Sequence, residues 1–130
     1  MHNAASPDTS DAGVERLIQA KGKTAPRVTP ADIEANIVSE FYFTAADGVR
    51  GELLSSLPEL GVNFGGDNPL SLLTFCVLVL RNGFTVTGES ACASPENFDA
   101  EVGRKIARAN AVQKIWPLMG YELRSKLAGL

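Results

Sequence analysis

Four carboxylates, Glu89, Glu96, Asp99 and Glu101, fall in one short stretch of the chain. Carboxylates brought together can move protons or hold a divalent cation. Three of them have plainer occupations. Glu96 and Asp99 stand where negative charge complements the positive end of a helix, and Glu101 precedes Lys105 by four residues as a helical ion pair. Only Glu89 lacks such an occupation. A strand reading places it opposite Cys76, where it could meet a basic residue of a partner chain.

Arg104, Lys105 and Arg108 follow on one helix flank, and from Phe98 onward six basic residues stand against three acidic ones in a chain of net charge -3. Such a stripe has two readings. It is either a solvated helix face, or a surface for a small anionic ligand such as a signalling nucleotide, with the cations as phosphate contacts. Nucleic-acid binding needs a dominant positive field, and a pI near 5.1 argues against one, although the local patch leaves that reading open.

The remaining reactive groups are few. Cys76 and Cys92 are expected to be buried thiols that do not pair, and the single histidine, His2, lies in a polar tail. Histidine-based catalysis and Cys/His metal clusters therefore have no material to work with. Gly65-Gly66 is not followed by the Gly-Lys-Ser/Thr of a phosphate cradle. The expectation is a protein that is not an enzyme and carries no cofactor and no metal.

These side chains need elements to position them. Leu72 to Leu80 and Phe84 to Ala93 are strand-like runs on either side of Asn82-Gly83, a strong hairpin signal. A two-residue turn with both residues at positive φ pairs 79 with 86, 77 with 88 and 75 with 90. That register gives Phe75, Val77 and Val79 to the core together with Val86. Leu78 and Leu80 then fall on the other face, with Thr85 and Thr87. Because the first strand is apolar on both faces, that second face is expected to be covered, either by a partner copy or by a helix at Leu53 to Leu60. Leu78, Leu80, Thr85 and Thr87 are thus the candidate oligomer face.

Helix signals bracket the hairpin. Thr29-Pro30-Ala31-Asp32 opens a helix carrying Ile33, Ile37, Val38, Phe41 and Tyr42, with Gly48 as its terminator. Ser94-Pro95-Glu96 is read as the start of the last helix, whose Phe98, Val102, Ile106, Ala109, Val112 and Trp116 face the core until Pro117 ends or kinks it. Residues 1–27 read as a flexible polar extension, with Val14, Leu17 and Ile18 at helical spacing, and 28–130 as a single α+β domain. The fold class is α+β: a β-hairpin packed against an N-terminal helix and a long C-terminal amphipathic helix. At 45% hydrophobic and 21% charged the composition is ordinary for a soluble domain, without an apolar run long enough to span a membrane. The polar N-terminus does not look like an export signal, so the chain is read as cytoplasmic.

Gly-Phe-Thr-Val-Thr-Gly-Glu-Ser-Ala-Cys, followed by Ser-Pro-Glu-Asn-Phe-Asp and Gly-Arg-Lys-Ile-Ala-Arg, resembles the phage gene-product-49-like family of small tailed-phage proteins. Thr-Pro-Ala-Asp-Ile-Glu and Tyr-Phe-Thr-Ala-Ala-Asp-Gly are similar to its N-terminal part, so the likeness spans roughly 28–127. It implies a phage or prophage origin and action in the host cytoplasm, and it brings no catalytic residues. The expected role is a non-enzymatic accessory protein, a homo-oligomer with a dimer favoured, that binds a host or phage macromolecule. Sequestering a small anionic ligand and weak nucleic-acid binding are the alternatives, with Arg104, Lys105, Arg108 and Glu89 as their surface.

Overall fold

A run of β-branched and aromatic residues, Ile37–Thr44, leaves a short helix and becomes a strand; this element decides the architecture. In this computed structural model, which describes residues 8–23, 25–56 and 69–130, the order is α1 (Asp11–Ala20), α2 (Pro30–Asn36), β1 (Ile37–Thr44) and α3 (Ala45–Ser56). A 3-10 turn (Pro69–Leu72), β2 (Leu73–Leu80), β3 (Thr85–Ala91), a second 3-10 turn (Pro95–Asn97) and α4 (Ala100–Leu127) follow. The three strands form an antiparallel sheet in the order β1-β2-β3. The expected α+β class with its hairpin and long C-terminal helix is found, with a third strand added.

That strand corrects the helical reading of Ile37 to Tyr42. Thr29 opens α2 as expected: its hydroxyl accepts from Asp32 N (3.1 Å) while the Asp32 carboxylate accepts from Thr29 N (2.9 Å). The helix stops at Asn36 because β2 has an edge to fill and β1 suits it. Gly48 does not terminate a helix but lies inside α3. Leu57, Leu60 and the loop from Gly61 to Asn68 lie outside the described residues, as does His2.

The hairpin also turns differently. Leu80 N donates to Phe84 O (2.8 Å) and Gly83 N to Leu80 O (2.9 Å). Within the turn Gly83 alone has positive φ, at 87°, with no positive φ at Asn82. This is a three-residue loop closed by a glycine bulge, steadied by Phe84 N donating to Asn82 Oδ1. The register moves by one residue, so Val79 faces Thr85, Leu78 faces Val86, and Cys76 faces Gly88. A slip of one exchanges the faces. Leu78 and Leu80 are therefore not an oligomer face: both are buried in the core, while Thr85 and Thr87 project from the opposite side.

α4 covers the Cys76, Leu78 and Leu80 side. Its buried residues are Gly103, Ala107, Ala111, Val112 and Ile115, four of them at intervals of four, rather than the expected arc, whose Val102 and Ile106 stand exposed. Small side chains let the helix axis approach the sheet, and Gly88 completes the fit. A Cβ built at Gly88 would overlap the Ala107 carbonyl oxygen and the Ala111 nitrogen. The cap is Asp99, whose carboxylate accepts from Val102 N (3.0 Å), not Ser94, which makes no side-chain cap bond and starts only the 3-10 turn. Pro117 does not end the helix. Trp116 and Met119 pack against the core on either side of it, and that burial offsets one missing backbone bond.

α1 forms over Val14, Leu17 and Ile18 with none of its residues buried. It is tied to the domain by Asp11, which accepts from Trp116 Nε1 (3.2 Å), and by Glu15, which accepts twice from Arg27. The Arg27 guanidinium pulls the Glu15 carboxyl down to about 2.

Candidate interaction surface

Of the three cations on the expected stripe, the fold occupies Arg108. Its Nη1 and Nη2 donate to the two carboxylate oxygens of Glu34 (3.0 and 2.8 Å), and its Nε to Glu40 (3.0 Å). The Tyr42 hydroxyl donates to the other oxygen of Glu40 (3.2 Å). This fork joins α4 to α2 and β1, and it raises Arg108 further above an already basic value while lowering the Glu34 carboxyl. Burial pushes Tyr42 up to about 12. Glu34 and Glu40 had no sequence signal, because their partner lies far along the chain. Lys105 pairs with Glu101 (3.4 Å). Arg104 lines a recess of about 150 Å³ with Tyr42, Phe43, Phe98 and Asp47. That is below the roughly 300–1,000 Å³ of small-molecule sites. The three cations do not converge.

The network predicts a pH dependence. Glu34 has a lower pKa folded than unfolded, so its stabilisation is present above the unfolded value and lost as the pH falls through the folded one. Arg108→Met should cost about 1 kcal/mol near neutral pH, since both carboxylates are more than a third exposed and screened. The gap to wild type should narrow as the pH falls below the ordinary carboxylate range. Paired thermal melts measure it; a constant gap would remove Glu34 from the account.

The carboxylates are equally dispersed. Asp99 caps α4, Glu96 accepts from the Ser94 hydroxyl (2.7 Å), and Glu101 holds Lys105. Among the described residues no group of His, Cys, Asp or Glu is arranged to hold a metal ion. Glu89 faces Phe75, not Cys76, and stands exposed on the sheet with the Thr87 hydroxyl 3.5 Å from its carboxylate. Both cysteines are free thiols. Burial raises Cys76, while the Cys92 thiol donates to Ser94 O (3.1 Å) at the wall of a mainly apolar recess of about 280 Å³. A thiol reagent should therefore consume Cys92 in the native protein and Cys76 only on unfolding; fast reaction at both would contradict the burial of Cys76.

What remains is a surface. On the side away from α4 the register sets Ser39, Val79 and Thr85 in one row, Phe41, Val77 and Thr87 in the next, and Phe43, Phe75 and Glu89 in the third. The half over β1 and β2 is apolar and the half over β3 polar. Phe43 stacks on Phe75 at 5.5 Å between centroids. α3 reaches the Phe43 end, with Gly48 against the ring, yet Phe41 remains 57% exposed. Phe41, read in sequence as helical, its strand neighbour Phe43, and Phe75, read as core, are what sequence reasoning missed.

The family model for the phage protein (N4 Gp49/phage Sf6 gene 66) family matches residues 28–127. The match starts at Val28, packed against the core, and ends with the last residue of α4. The chain belongs to this family. Family membership makes it a phage protein and agrees with the likeness carried by the β3 and α4 segments. All three strands, the Arg108 fork and the open sheet face lie within the family region, whereas α1 precedes it. No curated protein and no solved structure matches the chain. Among the described residues no helix is long and apolar enough to cross a membrane.

Proposed function

We propose that this phage protein is a non-enzymatic accessory factor that acts in the host cytoplasm as a homodimer and binds a partner protein through the apolar half of its open sheet face. The observation that carries this reading is the exposed aromatic pair Phe41 and Phe43 beside Phe75, Val77 and Val79, on a face whose described strand residues include no cation. An apolar patch rimmed by Thr85, Thr87 and Glu89 suits a protein surface, and lacks the positive charge that phosphate backbones require. Arg108 is held by Glu34 and Glu40, which removes it from the stripe of three cations and weakens both the nucleotide and the nucleic-acid alternatives.

The test is a photo-reactive phenylalanine analogue at position 41, with Lys114 as the solvated control position. Irradiation of infected cells should give a discrete adduct to a second polypeptide at 41 and none at 114. Absence of an adduct at 41 overturns the reading.

A further inference from the structure

We infer that the outer edge of β3 seats a second copy of this chain, the two β3 strands pairing antiparallel about a two-fold axis. The inference rests on the homodimer proposed above and names its interface.

Antiparallel pairs alternate between bonded and unbonded positions. Leu80 N donates to Phe84 O and Cys92 N to Leu72 O, so the even residues of β3 bond inward to β2. Thr85, Thr87, Glu89 and Ala91 therefore aim their N–H and C=O groups at the outer edge. The Glu89 carbonyl shows this direction: it accepts from the Asn110 amide of α4 (2.8 Å), so a partner N–H at that position would share the oxygen, using its second lone pair. Among the described residues no strand pairs with that edge. Exposed edges are ordinarily blunted by proline, lysine or a bulge. β1 carries such an irregularity between Ile37 and Ser39; β3 carries none along its register, and Thr-Val-Thr-Gly-Glu-Ser-Ala has neither proline nor lysine.

The occupant follows from charge and symmetry. Glu89 is the single charged residue of β3. A two-fold axis at Thr87 sets Glu89 against the partner's Thr85, and one at Gly88 sets it against the partner's Thr87. Either way a carboxylate meets a hydroxyl and like charges stay apart. The strand is thus complementary to itself. Beside it, Val102 and Ile106 are 52% and 46% exposed and one helical turn apart, lining the recess that also contains Ala91 and Cys92. With Asn110 one turn further on, this apolar stripe runs along the same edge, and a two-fold repeats it.

Light scattering across a dilution series tests the pairing. Wild type should have twice the monomer mass. Thr87→Pro removes an outward N–H that β2 does not use, and Ile106→Glu places a charge on the flanking stripe; each should raise the dimer dissociation constant at least about tenfold with the melt still cooperative. Phe41→Asp should remain dimeric. If Thr87→Pro fails to fold, Ile106→Glu decides, together with Thr87 amide exchange, which should slow as wild-type concentration rises. A monomeric wild type overturns both the dimer and its interface. A dimer broken by Phe41→Asp but indifferent to Ile106→Glu, with Thr87 exchange independent of concentration, keeps the dimer and overturns the edge pairing.

Discussion

Gly88→Ala should lower the stability of the fold by about 3 kcal/mol, a large share of the 5–15 kcal/mol that holds a domain of this size. The added methyl has nowhere to go. It would overlap the Ala107 carbonyl oxygen and the Ala111 nitrogen and lie 2.9 Å from the Ala111 Cα, and all of these are helix backbone rather than the movable end of a side chain. Relief requires α4 to lift from β3 along the Gly103, Ala107 and Ala111 ridge, opening gaps beside Cys76 and Leu78. Urea denaturation of Gly88→Ala reads the loss directly. A midpoint equal to wild type would mean that helix and sheet do not approach as described.

Leu78→Ala carries a comparable effect, about 2–5 kcal/mol, because Leu78 is fully buried where β2 meets α4. Phe41→Ala, on the opposite face and more than half exposed, should change stability by less than about 1 kcal/mol. The pair of variants separates the two faces of the sheet. In the register expected from the sequence, Leu78 lay on a surface for a partner, and its truncation would then act through dimer affinity and vary with protein concentration. In the observed register the loss belongs to the monomer and is independent of concentration. A concentration-dependent melting shift for Leu78→Ala would restore the other face assignment.

Several features were legible from local chemistry. Asn82-Gly83 announced the hairpin, Thr29 and Asp32 announced the start of α2, and the Glu101–Lys105 pair formed as its spacing requires. These depend on groups within a few residues of one another. The candidate surface was less legible. Arg108 reads in sequence as one of three cations on a ligand stripe, but Glu34 and Glu40 reach it from elements more than sixty residues away, so its role as a clamp between α2, β1 and α4 could not be read locally. Ile37 to Tyr42 offered apolar residues at both helical and strand spacing, and the vacant edge of β2 chose the strand.

By itself the sequence determined an α+β chain with a tight hairpin, a capped short helix, a long C-terminal helix and a reactive inventory with one histidine and two cysteines. Only the tertiary structure decided which side of β2 is inside. Leu73 to Leu80 is apolar on both faces, so its composition is indifferent to the choice, and Asn-Gly permits loops of two or three residues. The three-residue loop aligns Val86 and Gly88 with Leu78 and Cys76, and a glycine at that position lets the small-residue ridge of α4 close on the sheet. Packing at that one contact buries one face of β2 and leaves Phe41, Phe43 and Phe75 to form the other.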